Sequence, residues 1–166
     1  MIIGIGGCSR SGKSTLAAWM LQELVKKGHQ VRLLAMDDFA LPVDQMPLVR
    51  GEPDWDHPDA YDWSKMRSQL ERVRQEKVTL ILEGIFIFYP TEFSSFWDKA
   101  IFITLSKVSF LQRRQAETRW GKEPAWYLEH VWEAFAKYGR IGLPADHLEL
   151  SGESLWEESV LHSLLG

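Results

Sequence analysis

Short apolar runs recur along the chain at intervals that suit buried β-strands. The first run, Met1–Ile5, leads directly into glycines, and the later runs are similarly brief. Continuous apolar runs of this length are typical of strands that are covered on both faces. The pattern predicts strands at Met1–Ile5, Val31–Met36, Val78–Leu82, Ala100–Leu105 and His147–Leu150.

Segments with helical spacing separate these runs. Apolar residues recur every three or four positions after Ser14 until Gly28 ends the pattern. Helices are predicted at Ser14–Lys27, Ser64–Lys77, Val108–Arg119, Pro124–Tyr138 and Glu153–Leu165. Leu41–Pro58 holds four prolines and is predicted to be a loop. Because strands alternate with helices, we expect an α/β fold with a five-stranded parallel sheet and helices on both faces.

Composition narrows the class of protein. The 166 residues include 19 Lys and Arg against 23 Asp and Glu, which gives a net charge of −4, and 45% are hydrophobic. These values fit one globular domain over residues 1–166 and give no reason to expect binding to nucleic acid or to a membrane surface. The single cysteine, Cys8, excludes an internal disulfide. No signal peptide or membrane-spanning stretch is recognisable, so we expect a cytoplasmic protein.

One motif carries specific chemistry. The stretch Gly7-Cys8-Ser9-Arg10-Ser11-Gly12-Lys13-Ser14 matches the phosphate-binding pattern G-x-x-x-x-G-K-[ST], between a predicted strand and a predicted helix. Its glycines let backbone N–H groups turn toward a polyphosphate, and the helix adds its positive N-terminal end. We expect residues 7–15, from Gly7 to Thr15, to bind ATP. Lys13 would contact the phosphates, and the Ser14 hydroxyl would bind Mg²⁺. The alternative is a strand-to-helix turn without a ligand.

Acidic residues follow two of the predicted strands. Asp37 and Asp38 come after the second strand, and Glu83 ends the third. Parallel strands deliver such residues to the sheet edge that carries the phosphate loop. Asp37 is therefore a candidate for accepting a proton from an acceptor hydroxyl while helping to hold Mg²⁺, and Glu83 is a candidate partner of the metal. The alternatives are a helix cap for the aspartates and an arginine partner for Glu83.

Taken together, these residues resemble the uridine kinase-like P-loop kinases, and most closely the nicotinamide riboside kinases. The resemblance runs from Ile2 to about Arg140 and implies a three-layer P-loop NTPase fold with a helical lid at about residues 113–126. Besides the phosphate loop, four blocks carry it: Asp37-Asp38-Phe39, Ile81-Leu82-Glu83-Gly84, Trp55-Asp56-His57-Pro58-Asp59-Ala60, and His130-Val131-Trp132.

The resemblance implies a role for each matching residue. Asp37 is implied as the general base for a nucleoside 5′-hydroxyl, and Asp56 as the group that holds the ribose hydroxyls. Arg114 and Arg119 are implied as phosphate clamps in the lid. Trp55 and Trp126 match the positions of two aromatics around the base, where they would attract a cationic pyridinium. For each there is a structural alternative: a helix cap for Asp56, core packing for the tryptophans, and a solvated helix face for the arginines.

The resemblance implies ATP-dependent phosphorylation of a ribonucleoside, most readily nicotinamide riboside, by a monomer or homodimer. Uridine or cytidine is the second candidate, since Asp56-His57-Pro58-Asp59-Ala60 is similar to uridine kinases. Between Tyr61 and Leu82 there is room for one helix and one strand only, without the hairpin that uridine kinases insert there. A P-loop regulatory ATPase without a nucleoside acceptor is the alternative from another class.

Overall fold

The computed structural model describes residues 1–117 and 121–163. In chain order, its elements are β1 (Ile2–Gly7), α1 (Lys13–Lys26), β2 (Val31–Ala35), β3 (Leu48–Val49), β4 (Glu52–Pro53), α2 (Trp63–Glu76), β5 (Thr79–Gly84), β6 (Lys99–Thr104), α3 (Lys107–Gln115), α4 (Ala125–Tyr138), β7 (Leu148–Ser151) and α5 (Glu158–Ser163).

Five strands form one parallel sheet in the order β2-β5-β1-β6-β7. The central strand β1 pairs with β5 and β6, and β5 pairs with β2 on its other side. In this register Glu83 lies between Ile5 on one neighbour and Ala35 on the other. The loop after β1, the turn after β2 and the carboxylate at the end of β5 therefore meet at the same sheet edge.

Alternation along the strands builds one core on each face of the sheet. On one face α1 packs Leu16, Met20 and Leu24 into a cluster with isoleucines of β1, β5 and β6. On the other face, residues of α2 and α4 pack with a set of phenylalanines that includes Phe86, Phe88 and Phe102. This arrangement confirms the predicted three-layer fold and its five parallel strands.

A phenylalanine ring lies directly against the backbone of β1. A Cβ added at Gly6 would stand 2.6 Å from Cε2 of Phe88, so only glycine leaves space for the ring in its present position. Phe88 itself is 1% exposed. The glycines that precede the phosphate loop thus also leave room for the phenylalanine-containing core on this face of the sheet.

The structure differs from the predicted elements in three places. The proline-rich segment predicted as loop contains the short hairpin β3–β4, whose turn residues Arg50 and Gly51 have φ of 52° and 88°. Positive φ at both central positions is the requirement of a type I′ turn. Helix α3 ends at Gln115 rather than Arg119, and α5 begins at Glu158 rather than Glu153. Assignment of the whole chain to one domain stays a prediction.

None of the helices in residues 1–117 and 121–163 has the length and apolar character needed to cross a bilayer.

We predict that Gly6→Ala lowers the free energy of unfolding by about 1–3 kcal/mol, because the new methyl group forces the Phe88 ring out of its site. Urea unfolding measures the change. In a Phe88→Leu background the smaller side chain leaves room, so the same alanine should cost less. An equal cost in both backgrounds would contradict this account of the packing.

Candidate active site

A cavity of about 1060 Å³ opens at the carboxyl-terminal edge of the sheet. Its volume is at the upper end of the usual range for small-molecule sites. The phosphate loop, the turn after β2, the end of β5, the segment around Asp56 and the two helices α3 and α4 all contribute to its wall. The side chains that line the cavity include Ser9, Arg10, Lys13, Ser14, Asp37, Trp55, Asp56, Tyr61, Glu83, Arg113, Arg114, Glu123 and Tyr127.

The phosphate loop wraps around the amino-terminal end of α1. Gly12 precedes the helix with φ of 109°, a left-handed conformation that glycine adopts without strain. The Ser11 N–H donates to the Cys8 carbonyl at 3.2 Å, and the Lys13 ammonium donates to the same carbonyl at 2.8 Å. The loop is therefore closed on itself, with the lysine folded across it and the helix N-terminus behind it, as a polyphosphate site requires.

Lys13 is buried among opposite charges. Its side chain is 8% exposed, and burial lowers the pKa of its ammonium. The nearby carboxylates of Glu83 and Asp37 oppose this shift, since each favours the charged lysine. The ammonium is thus held at the junction of the loop with the two acidic strand ends.

A hydroxyl and a carboxylate stand together beside the lysine. The Ser14 hydroxyl donates to Glu83 Oε1 at 2.7 Å. Both are hard oxygen donors of the kind Mg²⁺ takes. Within residues 1–117 and 121–163, no group of three or more His, Cys, Asp or Glu side chains converges into a metal cage. One hydroxyl beside one carboxylate fits a cation that takes most of its ligands from phosphates and water, as Mg²⁺ does.

The two aspartates after β2 have different positions. Both lie in the single 3₁₀ turn Met36–Phe39, which follows the strand directly. Asp38 Oδ2 accepts from the Ala35 N–H at 3.0 Å and so caps that turn. Asp37 lines the cavity, where desolvation raises the pKa of its carboxyl and Lys13 partly offsets the rise. Asp37 is thus the member of the pair that is available to a ligand.

Arginines of α3 meet the phosphate loop from the other side. The Arg114 guanidinium donates to both carboxylate oxygens of Glu123, at 2.7 and 2.9 Å. It also donates to the Ser9 hydroxyl at 2.6 Å. Arg10 of the loop pairs with Glu117 at 2.7 Å. The connection from α3 to α4 is therefore tied to the loop through charge-assisted contacts, which are the stronger class of hydrogen bond.

Another part of the cavity wall combines a carboxylate with aromatic rings. Asp56 Oδ2 accepts from the Tyr127 hydroxyl at 2.7 Å. Burial raises the pKa of the Asp56 carboxyl, while the Tyr127 hydrogen bond and Arg114 oppose the rise. Trp55 stands at the rim with 47% of its surface exposed. The helix-cap alternative for Asp56 is not what the structure has, because His57 is the residue that caps the turn Pro58–Ala60.

Most of the predicted site residues come together in this one cavity. Those that line it are Ser9, Arg10, Gly12, Lys13, Ser14, Thr15, Asp37, Trp55, Asp56, Glu83 and Arg114. Gly7, Cys8 and Ser11 belong to the same loop but are buried behind its surface. Trp126 is not in the cavity wall. The Arg50 guanidinium lies over the Trp126 ring instead, with its carbon 4.3 Å from the centre of that ring. Arg119 lies outside the described residues.

Several residues of the site were not foreseen from the sequence. Tyr61, Glu123 and Tyr127 line the cavity, and the buried carboxylate of Asp54 contacts His130. Tyr127 and His130 are three positions apart in α4 and so share a helical face, which is the signal that the sequence offered. Since Asp54 is two residues before Asp56, the spacing of the two acids was a second signal.

Comparisons with known proteins give relatives of modest identity. No family model matches the chain. Nicotinamide riboside kinase 1 of Homo sapiens is 27% identical over 154 residues, which cover 82% of this chain and 75% of that protein. Uridine kinase of Mycoplasma genitalium is 35% identical over 72 residues, 43% of this chain and only 33% of that protein. The chain thus matches about a third of the length of that uridine kinase.

Solved structures support the fold. Shikimate kinase of Aquifex aeolicus superposes with a TM-score of 0.53 at 20% identity, over 99% of this chain and 94% of that one. A sugar kinase from Janibacter has a TM-score of 0.60 at 19% identity, over 99% and 91%.

The order of the five parallel strands and the loop at their edge thus give the chain the fold that these P-loop kinases share. The named relatives are uridine kinases and nicotinamide riboside kinases, which confirms the resemblance found in the sequence.

We predict that Cys8 is unreactive in the folded protein. Burial raises the pKa of its thiol to about 11, so about one thiol in a thousand is ionised at pH 8. Reaction with a disulfide reagent should be at least about 100-fold slower than for an exposed cysteine. Absorbance of the released thiolate follows the reaction. The same protein in concentrated urea is the control, and equally fast labelling with and without urea would contradict the prediction.

Proposed function

We propose that this chain transfers the γ-phosphoryl group of ATP to the 5′-hydroxyl of a ribonucleoside, with nicotinamide riboside as the first acceptor. One observation carries the proposal: the phosphate loop, Asp37, and Asp56 with its aromatic neighbours line a single cavity. Asp37 is close enough to both Lys13 and Tyr61 to raise the pKa of each.

At the phosphate end, backbone N–H groups of residues 7–14 bind the triphosphate, and Lys13 and Arg114 neutralise charge that develops on it. Arg119 joins them as a second lid cation on the strength of the resemblance alone. Ser14 and Glu83 would hold Mg²⁺, with Asp37 nearby. Mg²⁺ held by these residues would offset the negative charge of the phosphates.

At the acceptor end, Asp37 takes the proton. The 5′-hydroxyl oxygen forms a bond to the γ-phosphorus, the bond from that phosphorus to the β,γ-bridging oxygen breaks, and the hydroxyl proton passes to the Asp37 carboxylate. ADP leaves with the bridging oxygen. A pKa raised by desolvation makes Asp37 a better base than an exposed aspartate.

The acceptor is held by its sugar and its base. Asp56 suits a vicinal diol, because a carboxylate accepts from two hydroxyls and such bonds are stronger than neutral ones. Trp55 and Tyr127 offer aromatic faces to the base, and a pyridinium would add cation–π attraction of about 0.5–2 kcal/mol. The alignment with nicotinamide riboside kinase 1 over most of both chains favours this base over uracil or cytosine. Uridine and cytidine are the second candidates.

A regulatory ATPase needs no acceptor end, and the carboxylate and aromatic rings around Asp56 speak against it. The deciding experiment follows ADP release from ATP and Mg²⁺ with a panel of nicotinamide riboside, uridine, cytidine and pantothenate. Release that depends on a nucleoside supports the proposal, and release that is independent of any acceptor would favour the ATPase.

Cytoplasmic location and a monomeric or homodimeric state remain predictions from the sequence.

Replacing the proposed base should slow the chemical step. We expect Asp37→Asn to lower kcat by about 10² to 10⁴, because the amide accepts no proton from the hydroxyl, while ATP binding measured by calorimetry stays within a few-fold. Asp38→Asn is the matched control, since its amide oxygen still caps the turn. Equal losses in the two variants would remove Asp37 from the mechanism.

Removing the proposed sugar contact should act on the nucleoside and not on ATP. We expect Asp56→Ala to raise the nucleoside KM by about 10- to 100-fold through the loss of charged hydrogen bonds, and to leave the KM for ATP nearly unchanged. Asp59→Ala is the control, because that side chain is 73% exposed in the same segment. A change confined to the KM for ATP would show that Asp56 has another role.

A further inference from the structure

Asp54 is a carboxylate that the proposed reaction does not use, although it is almost completely enclosed. The residue is 3% exposed. Its Oδ1 accepts from the backbone N–H of Asp56 at 3.0 Å, and its Oδ2 lies 2.9 Å from Nε2 of His130. Since a buried carboxylate is costly unless it is paired, both of these contacts stabilise its position.

The partner of Asp54 comes from the same helix that holds Asp56. Tyr127 and His130 lie one turn apart on α4, with ring centres 6.1 Å from each other. Tyr127 donates to Asp56, while His130 contacts Asp54. One helical face therefore meets two acids that are two positions apart, and the two contacts fix α4 against this segment.

The backbone between the two acids is held as well. The Asp54 N–H donates to the Pro47 carbonyl at 2.7 Å, beside the β3–β4 hairpin. The Tyr61 hydroxyl donates to the Trp55 carbonyl at 2.9 Å. With the Asp56 N–H bound to Asp54, the segment has little freedom to move the Asp56 carboxylate.

We infer that Asp54 and His130 are positioning residues that hold the Asp56 carboxylate in the geometry for a vicinal diol, and so set the preference for ribose over 2′-deoxyribose. This inference rests on the proposed function. A carboxylate fixed from its backbone and from its own oxygen makes both diol hydrogen bonds without reorganising. A carboxylate that drifts makes one bond well and the other poorly, so the second hydroxyl contributes less.

The experiment compares kcat/KM for the accepted ribonucleoside and for its 2′-deoxy counterpart. In Asp54→Ala and in His130→Ala we expect the ratio to fall by about 5- to 20-fold, the effect of one weakened hydrogen bond to a charged group, while the KM for ATP stays within about two-fold. The double variant should lose little more than either single variant, because both act through one contact.

A rescue and a control separate positioning from general damage. His130→Gln retains an amide donor for Asp54 and should recover most of the ratio. If one alanine variant fails to fold, the other keeps the test decisive, because both residues act through the same contact. His147→Ala is the control, since that partly buried histidine also pairs with an acid, Glu149, at the edge strand β7 away from the cavity.

Equal losses for both nucleosides, or a wild-type ratio in the alanine variants, would overturn the inference and leave the proposed function standing. A wild-type protein that phosphorylates no nucleoside would overturn both.

Discussion

The parallel pairing of β5 between β1 and β2 is the constraint on which the site depends. It sets Glu83 beside Ile5 of β1 and beside Ala35 at the end of β2. There the Ser14 hydroxyl donates to Glu83, and Lys13 lies within electrostatic range of both Glu83 and Asp37. A shift of one residue in β5 would send Glu83 to the opposite face, because side chains alternate along a strand. The isoleucine-rich core on one face and the phenylalanine-rich core on the other specify this register, because the same shift would turn each buried side chain of β5 toward the opposite core. The packing of the sheet therefore also determines where the polar groups of the site lie.

Much of this arrangement could be predicted from the sequence because it depends on local patterns. The five strands are short apolar runs, and the phosphate loop combines glycines, a lysine and a serine at fixed spacing between a strand and a helix. Asp37 and Glu83 could be placed at the site because parallel strands share a carboxyl-terminal edge. None of these steps needs knowledge of how distant side chains meet.

The part of the cavity around Asp56 was less predictable because it depends on contacts between distant segments. Tyr127 meets Asp56 across 71 positions and His130 meets Asp54 across 76. Resemblance placed Trp126 near the base, but one residue along a helix is a rotation of about 100°. That rotation puts Tyr127 in the cavity wall and Trp126 under Arg50. The hairpin β3–β4 was also missed, since strands of two residues leave no periodicity to detect.

Burial has opposite effects on the two ionisable groups at the centre of the cavity. It lowers the pKa of Lys13 and raises that of Asp37, because in each case it disfavours the charged form. Each charge partly offsets the shift of the other. A phosphoryl donor and an acceptor hydroxyl meet at this point in the proposed reaction. There Lys13 would neutralise phosphate charge and Asp37 would take the hydroxyl proton, and the opposite charge of each group favours the ionised form of the other.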